Sequence, residues 1–261
     1  MFLKLRNLLG GRRPVRDFAI PAGERVYAVG DIHGRLDLFE DLIATIEADN
    51  AARGSAVTTV ILLGDLIDRG PDSAGVVARA REWSRQRQVH FIMGNHEEML
   101  LQAREDIDTL RGFLKFGGYE TLLSYGIDPD IAAGADIEEL HRLLREAIPE
   151  EDCTFIYGFK KHVSIGDYLF VHAGIRPDMP LHHQQTKDCR WIREPFLSHD
   201  GDFGACVIHG HTITDEPEVR HNRIGIDTGA YVTNTLTAIG LEGTQRWFLS
   251  ASSADEISAA A

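Results

Sequence analysis

At 261 residues the chain holds one sizeable domain with a full core, or one domain carrying an inserted cap. Its 43% hydrophobic and 26% charged residues are ordinary for a globular protein, and a formal net charge of -13 excludes a generic nucleic-acid or anionic-membrane binder. Cys153, Cys189 and Cys206 form no Cys-x-x-Cys pair, which speaks against a zinc ribbon or disulfide framework and for a reducing cytoplasm, and no run approaches the ~20 apolar residues of a transmembrane helix.

Residues 1–20 read as an N-terminal arm. Met1–Arg16 carries five basic residues and no acid, and Lys4 and Arg6 interrupt the apolar run that a signal peptide needs. A mobile arm or a segment packed on the domain fits this stretch better than a weak membrane-surface anchor. From Arg25 the run Val26-Tyr27-Ala28-Val29 predicts a strand ending at Gly30-Asp31-Ile32-His33-Gly34, and Leu36, Phe39, Leu42, Ile43 and Ile46 then recur at helical spacing. A second strand, Val57–Leu63, lacks amphipathic alternation, as expected of a strand buried on both faces, and ends at Gly64-Asp65-Leu66-Ile67-Asp68-Arg69-Gly70. Pro71, Asp72 and Ser73 open a helix whose buried face is Val76, Val77, Ala80 and Trp83. A third strand, Val89–Met93, ends at Gly94-Asn95-His96-Glu97 and runs into another helix, completing a βαβαβ pattern with a parallel sheet.

Residues 104–161 change pattern. Helical periodicity in Ile107–Phe116 and Ile137–Ile148, broken by Gly117-Gly118 and Gly126-Ile127-Asp128-Pro129, reads as a helical cap without chemistry of its own. Strands return at Tyr168–Val171, before His172-Ala173-Gly174, and at Ala205–Ile208, before His209-Gly210-His211-Thr212. Runs at Arg223–Ile226, Leu236–Leu241 and Gln245–Leu249 leave no room for crossover helices and predict antiparallel pairing in a second sheet. A single domain then covers 21–250, with 251–261 as a flexible tail.

Strand ends thus offer Asp31, His33, Asp65, Asn95, His172 and His211, all oxygen or nitrogen ligands. That set suits Mn²⁺, Fe²⁺ or Zn²⁺ rather than a structural zinc site. Two ions ~3.5–4 Å apart can clamp both oxygens of an in-line phosphoryl displacement, and they need a shared carboxylate, for which Asp65 on the central strand is the candidate.

The segments Gly-Asp-Ile-His-Gly (30–34), Gly-Asp-Leu-Ile-Asp-Arg-Gly (64–70) and Gly-Asn-His-Glu (94–97) resemble the signature of the calcineurin-like metallophosphoesterase superfamily. Within it they resemble the serine/threonine phosphoprotein phosphatases of compact bacterial and phage type. Val-His-Ala-Gly (171–174), Trp-Ile-Arg (191–193) and Gly-His-Thr (210–212) extend the match in order. The resemblance implies an α/β fold, a two-sheet mixed β-sandwich flanked by helices. It implies that Asp31, His33 and Asp65 hold one metal and Asp65, Asn95, His172 and His211 the other, with Mn²⁺ preferred over Fe²⁺/Fe³⁺ or Zn²⁺. His96 would be the general acid, oriented by Asp68, while Arg69 and Arg193 grip phosphate. Arginine suits that task because its planar fork matches phosphate oxygens. A metal-bridging hydroxide would be the nucleophile, its pKa depressed by two cations.

The implied activity is hydrolysis of phosphoserine or phosphothreonine in a phosphorylated protein or peptide, in the cytoplasm, with neither nucleic acid nor stable membrane insertion. The alternative is a phosphoanhydride hydrolase resembling the symmetrical diadenosine tetraphosphatases, and a catalytically silent scaffold is the remaining class. Those tetraphosphatases usually depart from the motifs at the positions of His33 or Asp68 and often have Asp in place of Glu97, so the residues present favour the phosphatase reading. Glu97 and Glu98 otherwise read as acids suited to a helix N-terminus. His209 reads as a core residue, Cys206 as core rather than nucleophile, and Tyr231 as a residue that borders the site without a matched role.

Overall fold

The computed structural model describes residues 17–253. Residues 1–16 of the arm and 254–261 of the tail lie outside them. What is described of the arm packs on the domain: Phe18 and Ile20 are buried, and Ala19 N donates to Asp167 Oδ2 at 3.0 Å.

Two five-stranded sheets form the centre. The first begins with β1 (Glu24–Val29), β2 (Val57–Leu62) and β3 (Gln88–Phe91), linked by α1 (Leu36–Ala52) and α2 (Ser73–Gln86). These strands run parallel, Val29 opposite Leu62 and Leu62 opposite Phe91. Asp72 caps α2 by accepting from Gly75 N at 2.7 Å, as the Pro-Asp-Ser start predicts. α3 (Asn95–Glu105) follows β3 directly, and then come α4 (Ile107–Phe113), a π turn over Leu114–Gly118, α5 (Tyr119–Ser124), α6 (Pro129–Gly134), α7 (Ile137–Ala147) and α8 (Glu150–Tyr157).

The second sheet contains β4 (His162–Ile165), β5 (Tyr168–Val171), β6 (Cys206–His209), β7 (Glu218–Val219) and β8 (Arg223–Gly225), with α9 (Thr186–Trp191) between β5 and β6. Its order is β4-β5-β6-β8-β7, with β5, β6 and β8 parallel. After α10 (Ala230–Thr233) the chain closes with β9 (Thr235–Glu242) and β10 (Gln245–Ser252). These do not join the second sheet as the strand spacing predicts. β9 pairs antiparallel with β1, Ala28 opposite Ile239, and the first sheet reads β10-β9-β1-β2-β3.

Trp247 explains that placement. It lies across Gly240, where any Cβ would collide with the indole, and its Nε1 donates to Asp49 Oδ2 on α1 at 3.0 Å. Buried Arg25 ties the same corner, donating to Glu242 Oε2 and Asn50 Oδ1 at 2.8 Å each, so its buried charge is fully paired. β10 also runs through Ala251, which is buried, so Ala251 and Ser252 belong to the first sheet and not to a flexible tail.

Alternation along β1 sorts the core. Val26 and Ala28 pack with Ile61, Phe170, Ile208 and Ile224 between the sheets, whereas Tyr27 and Val29 pack with Phe39, Leu42 and Val76 beneath the helices. Each such side chain contributes roughly 1.5–3 kcal/mol when fully buried. The result is an α/β sandwich, helices outside two mixed sheets, with β1, β2, β3, β5, β6 and β8 all ending at one rim.

Candidate metal centre and active site

Every residue that the motifs single out reaches this rim. Asp31 and His33 follow β1, Asp65 follows β2, Asn95 and His96 begin α3, His172 follows β5 and His211 follows β6. The turns that aim them are strained. His33, Asp65, Asp68, Arg69 and His211 have φ of 47°, 50°, 73°, 71° and 64°, each costing roughly 1–3 kcal/mol that the surrounding packing must offset. Neighbouring glycines make the space: a Cβ on Gly94 would strike Asp65 Oδ1, and one on Gly210 would strike Asp31 Oδ1.

Asp65 is the hub. Its Oδ2 lies 3.4 Å from His172 Nε2, 3.7 Å from His33 Nε2 and 3.9 Å from His96 Nε2, while its Oδ1 accepts from His96 N at 3.0 Å. Two candidate ligand groups form here, His33–Asp65–His96 and Asp65–His172–His211, and Asp65 belongs to both. Against its burial, His172, His96 and His33 hold its carboxyl well below the usual range.

The donor set fits cations. His33 Nδ1 donates to Ile67 O at 2.9 Å and His172 Nδ1 to Leu63 O at 3.0 Å, the backbone bond that aims the opposite lone pair of a ligating imidazole. His172 Nε2 faces Asn95 Oδ1 at 2.9 Å as well as Asp65, so acceptor atoms converge on one point. Asp31 Oδ1 and His211 Nε2 are buried with no hydrogen-bond partner among the described residues. Burial pushes His211 down to about 3 and His33 well below its ordinary value, which keeps both rings neutral as ligands require. Asp31 is pushed up by burial and then by the carboxylates of Asp227 and Asp65. Such a concentration of buried carboxylates calls for positive charge.

His96 is oriented from the far side. Its Nδ1 donates to Asp68 Oδ2 at 2.6 Å, and its Nε2 accepts from Arg69 Nη2 at 2.9 Å. Burial pulls its pKa down, but Asp65 and Asp68 outweigh that and raise it. Arg69 also donates from Nη1 to His33 Nε2 at 2.9 Å, and its guanidinium lies 4.7 Å above the Tyr231 ring. Arg193 is exposed, its Nη2 donating to His211 O at 3.4 Å.

Several contributors escape the motif reading. Asp227, buried and pushed up to about 6 by its burial, follows β8 in Ile-Asp-Thr-Gly, the same strand-then-Asp pattern as Asp31 and Asp65. Glu97 is no mere helix-terminus acid: its buried carboxylate accepts from Asp65 N at 2.9 Å, Leu66 N at 2.7 Å and Gly94 N at 3.0 Å, pinning one strand-end loop to the next. Glu98 accepts from Arg190 Nη1 and Trp191 Nε1, both at 2.6 Å, and so ties the Trp-Ile-Arg segment to α3. The helical insertion is not inert either. Thr121 donates to Asp68 Oδ1 at 2.5 Å, and Gly117 O, at a φ of 104°, accepts from Arg69 N at 2.9 Å. His209 is core as expected, with Nδ1 donating to Gly210 O, and all three cysteines are buried and free.

An asymmetrical bis(5'-nucleosyl)-tetraphosphatase PrpE of Oceanobacillus iheyensis is 25% identical over 239 residues, 82% of this chain and 87% of that protein. A symmetrical bis(5'-nucleosyl)-tetraphosphatase of Acidovorax ebreus is 31% identical over 182 residues, covering 70% of this chain and 51% of that protein. A solved protein provisionally assigned as a diadenosine tetraphosphatase superposes with a TM-score of 0.62 at 20% identity, covering 90% of this chain and 99% of its own, which establishes the shared fold.

These relatives overturn the expectation of a serine/threonine protein phosphatase with a phosphoprotein substrate. The physical reason is visible in the site. Metal ligands, an imidazole and arginines suit a phosphoryl group whatever departs from it, and Glu97, read as a mark of the phosphatases, is spent on backbone amides. Among the described residues no helix is long and apolar enough to cross a membrane. The Calcineurin-like phosphoesterase profile matches residues 24–228, from β1 to the turn after β8, and the chain belongs to that family.

Proposed function

We propose that this chain is a divalent-metal-dependent hydrolase of bis(5'-nucleosyl) tetraphosphates, cutting a phosphoanhydride within the tetraphosphate bridge. The observation that carries the reading is the likeness to an asymmetrical tetraphosphatase along 82% of this chain and 87% of that relative. The donor set supports metal dependence. Asp31, His33 and Asp65 would hold one ion and Asp65, Asn95, His172 and His211 another, with Mn²⁺ the first choice for an oxygen and nitrogen set. Bound there, such ions supply Lewis acidity to phosphoryl oxygens and lower the pKa of water.

The chain's own residues do the rest. Arg69, its backbone fixed by Gly117 O and its guanidinium 4.7 Å from the Tyr231 ring, would offer a fork to the phosphoryl oxygens on exchanging His33 and His96 for them. Arg193 adds charge from the exposed side. His96, its Nδ1 bound to Asp68, would give a proton from Nε2 to the departing phosphate oxygen when the ring is protonated, the state that Asp65 and Asp68 favour against burial. Glu97 and Thr121 keep these groups in register. Incubation of metal-loaded protein with diadenosine tetraphosphate, followed by anion-exchange analysis, tests the reading. ATP and AMP are the expected products, ADP alone would assign symmetrical cleavage instead, and an intact dinucleotide would refute the proposal.

A further inference from the structure

A groove of about 520 Å³ opens beside the metal centre, between α3 and the end of α8. Its apolar lining is Met93, Leu101, Phe159 and Tyr157, with Gln102 and Glu105 at a polar edge. Met93, Leu101 and Phe159 are buried members of the main core cluster, and Phe159 is stiffened by stacking on Phe91 at 5.1 Å and 17°. Tyr157 differs, being 59% exposed, and so leaves much of its side chain open to a ligand.

The groove adjoins the catalytic rim. It begins at Met93, two residues before the ligand Asn95, and at Glu98, two residues after His96. Glu98 forms the partition, because the same carboxylate that lines the groove holds Arg190 and Trp191, and the Trp191 ring stands 6.4 Å from His211. Measured from His96, α3 carries the lining away from the metal ligands, ~8 Å along its axis to Leu101 and ~14 Å to Glu105. A ribose and one or two phosphates span a gap of that order.

Charge selects the occupant. Glu98, Glu105 and Asp106 line the groove against one cation, Arg190, which Glu98 already neutralises at 2.6 Å. A phosphate is repelled there. A neutral heterocycle is not: its flat faces match Tyr157 and the apolar floor, and its exocyclic amine finds acceptors in Gln102 and Glu105. We propose that this groove binds one nucleobase of the dinucleotide, while the arginines and metal ligands hold the phosphates. The proposal rests on the dinucleotide reading above and adds to it the element that distinguishes a nucleotide from a bare polyphosphate.

The test is steady-state kinetics of the full chain with Mn²⁺ on diadenosine tetraphosphate and on inorganic tripolyphosphate, which has the anhydride but no base. Tyr157→Ala should raise KM for the dinucleotide about tenfold with kcat little changed, as loss of one base–aromatic stack predicts, and leave tripolyphosphate hydrolysis as it was. Tyr157→Phe should restore the wild-type KM, because it keeps the ring. Glu105→Lys, at an exposed position, should alter KM for the dinucleotide alone. If Tyr157→Ala leaves the dinucleotide KM unchanged, or shifts both substrates equally, the groove does not hold a base. A wild-type chain that ignores the dinucleotide would overturn the parent reading as well, so the two failures are told apart by the wild-type rate.

Discussion

Thr121 donates its hydroxyl to Asp68 Oδ1 at 2.5 Å, across 53 residues of sequence. The same hydroxyl accepts from Asp68 N at 3.0 Å and lies 2.9 Å from Ser73 Oγ, so a helix of the insertion holds both ends of the residue that orients His96. Thr121→Val should leave the fold intact but let Asp68 and the imidazole drift. A misplacement of this kind costs up to about a hundredfold. The expected outcome is kcat lower by roughly ten- to a hundredfold with KM little changed, and recovery of most activity in Thr121→Ser. Kinetics of the two variants side by side check it, since a purely steric role would be rescued less well by the smaller serine.

That contact also marks the border of what the sequence discloses. Asp31, His33, Asp65, Asn95, His172 and His211 are legible because each follows an apolar strand within four residues of its end, a local pattern set by backbone geometry. Asp227 shares the pattern but sits where strand runs crowd together, and no motif draws the eye to it. Thr121 and Gly117 had no signal at all, because what matters is which insertion helix lands on Asp68 and Arg69. The sheet order failed for a related reason. Leu236–Leu241 reads as a strand anywhere, and its ladder with β1 and the reach of Trp247 across Gly240 to Asp49 are long-range contacts that no local pattern discloses. Substrate is not legible in the motifs, whose ligand types, imidazole and arginines suit any phosphoryl group, whereas the groove at Tyr157 is built from residues that no motif contains.

Glu97 offers a stability test distinct from catalysis. Its carboxylate is fully buried and accepts from three backbone amides, which Ala would leave unpaired around the Asp65 turn. Burial and the neighbouring Asp65 push its carboxyl up to about 7, so above that pH it accepts as a charged group, in bonds of about 1.5–3 kcal/mol each; at pH 8 Glu97→Ala should lose about 3 kcal/mol or more, and Glu97→Gln less because its amide oxygen still accepts. Chemical unfolding in the presence of chelator, where metal binding cannot mask the change, gives the comparison.

Metal titration separates Asp65 from Asp31. Asp65 belongs to both candidate ligand groups, while Asp31 has its Oδ1 without a partner among the described residues and its Oδ2 accepting from His211 N at 3.0 Å. Calorimetric titration of Mn²⁺ should show two sites in the unaltered chain, both weakened in Asp65→Asn and chiefly one weakened in Asp31→Asn. Equal single-site defects in the two variants would remove the bridging role of Asp65.

The claim that the phosphoryl machinery serves a dinucleotide is tested most directly by kcat/KM. Metal-loaded protein is assayed under one set of conditions on diadenosine tetraphosphate and on a phosphothreonine peptide, with metal content verified. The account predicts that the dinucleotide is preferred by a hundredfold or more, about 2.7 kcal/mol of transition-state stabilisation at ~1.36 kcal/mol per factor of ten. Equal values, or preference for the peptide, would contradict it.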